Sequence, residues 1–364
     1  MDALKIVGLD IGGANIKAAT NDGTCVCVPF PIWRQQHELA SRLQQLSCGA
    51  FASPHLVALT MTAELADCFE TREQGVRFVI RAVQQAFPRA LLRIWLLSGE
   101  FADPDETLQV PLLAAAANWH ALAAWSGRAV PEGPALLIDT GSTTTDIIPL
   151  LDGQVAAEGR TDLERLMHRE LIYTGAVRTP VIAIVREVPV RDRMVPIAAE
   201  LFATSRDIFL LAGDLPEQPD CCDTADGRPA TRDYALNRVA HLLCCDRSDL
   251  RTEELIEVAR FVASAQVQQI SAAIDDRLRF LQFAEAESAR RPRRRPVVLI
   301  SGSGHFLVTR ALSAIPRGDY DQILNLSEMY EGRAAVANCA FAAARLAADR
   351  CLDELLPLEP FRAS

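Results

Sequence analysis

The sequence predicts an α/β protein built of two similar lobes. Three observations carry that prediction. Strands and helices alternate along most of the 364 residues. One strand–turn–strand unit recurs about 130 residues after its first appearance. A chain of this length, 49% hydrophobic, can bury more core than one small domain needs.

The elements follow in order. Lys5–Leu9 reads as a strand, followed by a glycine turn, a second strand over Ile16–Thr20, a turn at Asn21-Asp22-Gly23 and a third strand, which makes a hairpin-led sheet. Residues 35–47 have helical character, and "HLVALTMT" is a strand. "REQGVRFVIRAVQQAF" places apolar residues at helical spacing up to Pro88. "LLRIWLLS" is another strand, and "PLLAAAANWHALAAWSG" predicts a helix ended by its glycine. The pattern restarts at Pro134 with a strand, a turn, the strand "TTDIIPLLDG" and a further strand through Val155. Later, "RRPVVLISGSGHFLVTRAL" joins an apolar strand to a helix beginning near His305 through Ser301-Gly302-Ser303-Gly304.

Composition excludes several classes of function. A formal net charge of -10 argues against a sequence-blind grip on nucleic acid. The one basic run, "ARRPRRRP" at 289–296, reads as a solvated linker. No signal core opens the chain, and no apolar run approaches the roughly 20 residues of a membrane span. The expected location is the cytoplasm. The ten cysteines lack paired CxxC spacing and read as reduced, mostly buried thiols. Small-molecule substrates are the expected partners, with homo-oligomerisation left open.

The two starts, "IVGLDIGGANIKAATNDG" and "LLIDTGSTTTDIIPLLDG", share strand, Asp, glycine, small polar residues, strand and Asp-Gly turn. Asp10 and Asp139 are each expected to end a strand, with the following glycines at positive φ so that N–H groups cradle an anion. A carboxylate beside an anion cradle calls for a cation between them, and phosphate with Mg²⁺ fits. Taken singly, each unit is equally a hairpin whose Asp and Thr side chains bond their own backbone. Gly302-Ser303-Gly304, opening a helix, adds a third anion-favouring turn and tips the reading toward a phosphate ligand. It lacks the full GxGxxG pattern of a dinucleotide fold.

Asp10-Gly12-Gly13, Asp139-Gly141-Ser142-Thr143-Thr144 and Gly302-Ser303-Gly304 resemble the phosphate-1, phosphate-2 and adenosine motifs of the actin, sugar kinase and Hsp70 superfamily. That resemblance implies two RNase-H-like (actin/hexokinase-type) lobes with a ligand cleft between them. The first lobe would span residues 1–127 and regain a C-terminal helix at about 332–364; the second would span 128–331. "GLDIGGANIKAA", "LTMTAELADCF", "ANWHA", "IDTGSTTTDIIP", "GRTDLERL", "YTGAVRTPV" and "TADGR" resemble, within its hydantoinase/oxoprolinase-like branch, a family associated with tetrahydromethanopterin-linked one-carbon transfer. The resemblance implies a transferase of methanofuran biosynthesis, or of its bacterial analogue, joining an aminomethylfuran methyl diphosphate to a phenol oxygen with loss of pyrophosphate. The superfamily also implies an alternative, an ATP-dependent kinase or hydantoinase/oxoprolinase-type activating enzyme, and a nucleotide-regulated scaffold is a third class. ATP is an optional ligand under the first reading.

For that chemistry, Asp10 and Asp139 are the expected Mg²⁺ ligands. Asn15, Lys17, Thr144 and the N–H groups of Gly12, Gly13, Gly141, Ser142 and Thr143 are expected to hold the diphosphate. Glu64 and Asp67, at i and i+3 on an expected helix, are the candidate bases; the alternative is an acid-rich first helical turn capped by Thr62. His120 is a candidate substrate contact or a packed helical histidine. Asp146 can point into the cleft beside Asp139 or pair with Arg178. Arg160, Asp162, Arg178 and Thr179 can recognise substrate amino and carboxylate groups or form an interdomain salt-bridge network.

Overall fold

The computed structural model describes residues 4–287, 294–329 and 336–351, with no side chains given for 285–287. The first sheet contains β1 (Ile6–Ile11), β2 (Asn15–Thr20), β3 (Cys25–Pro29), β4 (Leu56–Met61), β5 (Leu91–Trp95) and β6 (Phe101–Ala102). Its order is β3-β2-β1-β4-β5-β6, with β1, β4 and β5 parallel and the leading hairpin antiparallel. The second sheet repeats the plan with β7 (Pro134–Thr140), β8 (Thr145–Leu151), β9 (Gln154–Val155), β10 (Leu171–Ile172), β13 (Val297–Ser301) and β14 (Ile323–Asn325). Its path is β10-β8-β7-β13-β14, with β9 beside β8; β11 (Glu187–Val190) and β12 (Arg193–Pro196) form a separate hairpin. In each sheet a hairpin-led strand is flanked by the hairpin on one side and a parallel strand on the other. The repeated unit thus forms two similar lobes, in the actin/hexokinase-type α/β architecture that the motif resemblance implied.

Burial explains the strands. Every residue of β1 and β4 is buried, as parallel central strands covered on both faces require. The helix Arg72–Ala86 begins at Thr71, whose side chain caps Gln74 N–H, and covers one face of the first sheet with Val76, Val79, Ile80 and Val83. In the second lobe the 36-residue helix Thr252–Glu287 lays Leu255, Val262, Ile270, Ile274 and Leu278 into the core. Between the sheets, the helices Asn118–Ser126 and Asn338–Arg350 meet through a largely small-residue face that includes Ala121, Ala340 and Ala342. Trp125 and Phe341 close that seam edge to face, with centroids 5.2 Å apart.

Some boundaries differ from expectation. β1 runs on to Ile11, so Asp10 lies inside the strand. The stretch 111–127 breaks into a 3-10 turn at Pro111–Leu113 and a helix from Asn118, because Ala116 takes a left-handed φ of 48°. The C-terminal helix begins at Asn338; residues 332–335 and 352–364 of the expected segment lie outside the described residues, as do 289–293 of the basic run and residue 331, where the proposed lobe boundary falls. Among the described residues, no helix is long and apolar enough to cross a membrane.

Gly8 on β1 shows how tightly the C-terminal helix is seated. A Cβ there would stand 1.8 Å from the Ala340 carbonyl oxygen, a contact only backbone movement can relieve. Gly8→Ala should therefore cost about 3 kcal/mol in urea unfolding. A loss below about 1 kcal/mol would show that the helix is not held against β1 at this point.

Candidate functional site

The two leading hairpins bring their turns to one cavity of about 410 Å³ between the sheets. Each turn closes in the same way: Gly12 N–H donates to Asn15 O and Gly141 N–H to Thr144 O, both at 2.9 Å. The second turn is held from behind by residues 175–178. Ala176 N–H donates to Gly141 O, and the Val177 and Arg178 N–H groups donate to Ser142 O. Gly175 can lie against this loop only without a side chain, since a Cβ would approach Thr143 N to 2.6 Å. Thr179 fixes the strap by accepting from Gly175 N–H at 2.9 Å.

The register places the charges. Asp10 faces Lys17 across β1 and β2, whereas Asp139 faces Asp146 across β7 and β8. Opposite charges stabilise the first pair and like charges oppose the second. Lys17 Nζ lies 3.7 Å from Asp10 Oδ2, and Asn118 Nδ2 donates to Asp10 Oδ1 at 3.4 Å. In the second lobe the missing cation comes from Arg165, which is 1% exposed. Its guanidinium lies 2.5 Å from Asp146, 3.4 Å from Asp162 and 4.1 Å from the centre of the Trp119 ring. A guanidinium can make all three contacts because it is planar and carries its donors in a fork.

Burial and like charge then set the protonation. Burial pushes the Asp139 carboxyl up to about 6, with Asp146 adding to the rise and the Ser301 hydroxyl and Lys17 opposing it. Burial also raises Asp10, partly offset by Lys17 and Asn118. For Lys17, burial works against the charge, yet the facing Asp10 holds its ammonium above the ordinary lysine range. Burial lifts the Cys339 thiol at the cavity wall well above the ordinary range. Five carboxylates line the cavity (Asp10, Asp67, Asp139, Asp146, Asp162) against three cations (Lys17, Arg165, Arg178).

Several sequence-predicted residues meet here: Asp10, Gly12, Gly13, Asn15, Lys17, Asp67, Asp139, Gly141, Ser142, Thr143, Thr144, Asp146, Asp162 and Arg178. Others do not. Glu64 and Asp67 share no helical face, because the turn at Ala63–Leu65 is 3-10 and ends at once. Glu64 is 2% exposed beneath Gly75, raised to about 7 by burial, with Oε2 unpartnered. His120 accepts from Trp95 Nε1 at 3.2 Å, and burial, reinforced by Arg350 and Arg165, lowers it to about 4; it packs behind the cavity wall. Arg160 is exposed and Thr179 is spent on the Gly175 strap. Asp146 pairs with Arg165, while Arg178 pairs with Asp223 at 3.5 Å.

The anion cradles also differ from expectation. Gly12, Gly13 and Gly141 all have negative φ, and the N–H groups of Gly12 and Gly141 are consumed in closing their own turns. The Gly302-Ser303-Gly304 turn is packed onto the end of β7. Gly302, at φ 88°, would set a Cβ 2.2 Å from Thr140 O, and Gly304 N–H donates to that oxygen at 2.9 Å.

Sequence reasoning missed Arg165, Asn118 and Asn338. Asn338 Nδ2 donates to Ser301 Oγ at 2.6 Å, and Ser301 in turn bonds Asp139. Each central aspartate is thus reached from the first residue of an inter-lobe helix. A signal was present: "ANWHALAA" and "ANCAFAAA" repeat the Asn and the small residues after it. Arg165 stands in the quoted stretch "GRTDLERL", but nothing there singled it out, since its partner Asp146 lies 19 residues away in sequence.

Facing hairpin turns with a carboxylate-rich cavity between two matched α/β lobes define a cleft protein of the actin/hexokinase type. The hydantoinase/oxoprolinase family model matches residues 55–347, and the chain belongs to that family. It is 33% identical over 346 residues, 94% of its length and 97% of the relative's, to the "(4-{4-[2-(gamma-L-glutamylamino)ethyl]phenoxymethyl}furan-2-yl)methanamine synthase" of Methanocaldococcus jannaschii. It is 32% identical over 207 residues, 57% of its length and 87% of the relative's, to a protein of the same name from Methanococcus vannielii. Among solved structures, nucleotide-free acetone carboxylase aligns with 93% of this chain and 70% of its own at a TM-score of 0.51 and 10% identity, a likeness of fold.

The raised Asp139 has a stability consequence. A folded value of about 6 against an ordinary 3.8 means that the folded state holds this proton more tightly. Stability therefore falls as pH rises from about 4 to about 6, and the full penalty applies above that range. In chelator, Asp139→Asn should be more stable than the parent by about 2–3 kcal/mol at pH 7.5 and no more stable at pH 4. Equal stability at pH 7.5 would contradict the assigned environment.

Proposed function

We propose that the protein is a synthase of methanofuran or its bacterial analogue, serving tetrahydromethanopterin-linked one-carbon metabolism in the cytoplasm. It would couple an aminomethylfuran methyl diphosphate to the phenol oxygen of a tyramine- or tyrosine-type acceptor and release pyrophosphate. The observation that carries this reading is the pair of carboxylate-bearing hairpin turns opening on one cavity. The relatives' printed name, which describes a phenoxymethylfuran, supports the choice of substrates.

The chemistry suits these residues. The bond between the furfuryl carbon and the diphosphate oxygen breaks with its electron pair leaving on pyrophosphate, and the phenol oxygen forms the new carbon–oxygen bond. Positive charge developing at the furfuryl carbon is favoured by a cavity with more carboxylates than cations. Lys17 faces the departing oxygens, together with the N–H groups of Gly13, Ser142 and Thr143 that remain after the turns are closed. The phenol proton passes to a carboxylate, and of the two predicted bases Asp67 is the one at the cavity.

The donor set fits Mg²⁺, because the cavity sets more carboxylates than cations beside phosphate-binding groups, and Asp139 Oδ1 is buried without a hydrogen-bond partner among the described residues. Asp10 and Asp139 would hold it, and when bound it supplies charge neutralisation for the diphosphate.

Gly13 has a negative φ, and a Cβ there would meet no atom within 4 Å, so the fold itself leaves the position open to a side chain. The proposed diphosphate, approaching the backbone at Gly13, would not.

Purified protein with Mg²⁺ should release pyrophosphate only when the furan diphosphate and a phenol are both present. ATP with the same phenol should yield no phosphate; phosphate from ATP without furan turnover would overturn the synthase reading. Asp10→Asn and Asp139→Asn should each lower kcat by about 100-fold or more. Gly13→Ala should leave stability within about 0.5 kcal/mol of the parent and still lower turnover, so an active variant would remove Gly13 from the ligand site.

A further inference from the structure

A buried amide stands behind the second hairpin turn. Gln266, on the helix Thr252–Glu287, is 0% exposed among core residues of that helix such as Val262 and Ile270. Burying an amide costs free energy unless its polar atoms are bonded, and only one end of this one is. Nε2 donates to Thr174 Oγ1 at 2.9 Å and to Gly175 O at 2.8 Å, while Oε1 is buried without a partner among the described residues. A carbonyl oxygen can only accept, so the nitrogen is the end that faces Gly175.

The hydroxyls around it form one directed set of bonds. Thr174 Oγ1 donates to Thr179 Oγ1 and Thr179 Oγ1 donates to Gly175 O, both at 3.3 Å; Gly175 N–H returns to Thr179 Oγ1 at 2.9 Å. Without the Gln266 amide, Thr174 Oγ1 and Gly175 O would each keep their bond with Thr179. Stability therefore does not explain Gln266: an apolar side chain of similar size would orphan neither group and would remove the unpaired Oε1. What the amide supplies is a link between the long helix and a residue 91 positions away in sequence that lies directly on the second turn. A Cβ on Gly175 would stand 2.7 Å from Ser142 C and 2.6 Å from Thr143 N.

We propose that Gln266 is a positioning residue for the second turn: it ties the 175–178 strap to the long helix and so fixes the Ser142 and Thr143 N–H groups at the cavity. That these groups receive a diphosphate rests on the synthase reading above; the tether rests on the two amide bonds. Hydrogen bonds weaken steeply with misalignment, so a loosened strap would weaken anion binding without unfolding the chain.

Gln266→Met tests this on the full chain, with Ile270→Val, one turn along the same helix, as the control for altered packing alone. In Gln266→Met, amide exchange of the strap, followed by mass spectrometry, should quicken by about tenfold or more while the urea midpoint stays no lower than the parent's. Mg²⁺-pyrophosphate should bind about tenfold or more weaker by calorimetry. Ile270→Val should lower the urea midpoint and leave strap exchange and pyrophosphate affinity within about twofold of the parent. Parental strap exchange or parental pyrophosphate affinity in Gln266→Met would overturn the proposal. So would an equal loss of affinity in both variants, which is the outcome for a residue that merely packs. A parent that binds no pyrophosphate would sink the diphosphate reading instead, and the exchange comparison would still judge the tether.

Discussion

The structure turns on an electrostatic asymmetry between two copies of one hairpin. In the first, the strand aspartate faces a lysine; in the second it faces another aspartate. Arg165 compensates the second pair from outside the hairpin, but it also serves Asp162, so the cavity keeps a surplus of carboxylate. Burial makes that surplus costly, which is why Asp139 is pushed up to about 6. Under the proposed function, a divalent cation and its anion would offset that unfavourable charge.

The surrounding fold serves to hold this arrangement still. The strap at 175–178 clamps the second turn by backbone bonds, and the helices starting at Asn118 and Asn338 bring one amide each toward the central aspartates. Those helices approach each other through alanines, so the two lobes are joined by the same elements that support the site. The helices that reach toward Asp10 and Asp139 are therefore also the helices that meet between the sheets.

Much of this was legible in the sequence. The repeated strand–Asp–Gly–strand pattern gave both sheets and both central carboxylates, because hairpin geometry is local. For Glu64 and His120 it was packing, not the site reading, that the structure bears out, and for a shared reason: periodicity shows which residues could share a face, but only packing decides whether that face meets the cleft. Glu64 turns under Gly75, and His120 turns onto Trp95. Glycine was also read too generally. Gly12 and Gly141 use their N–H groups within the turn, and Gly302 serves a close approach to Thr140. Arg165 was invisible because its role depends on Trp119 and Asp146, which only the tertiary fold brings to it.

The central claim is that the carboxylate surplus accepts a diphosphate only together with a divalent cation. Calorimetric titration of the full-length protein with pyrophosphate, in chelator and then in Mg²⁺, tests it most directly. The account predicts no detectable binding in chelator and saturable binding with Mg²⁺, lost in Asp139→Asn. Pyrophosphate binding that is equally tight without Mg²⁺ would contradict it.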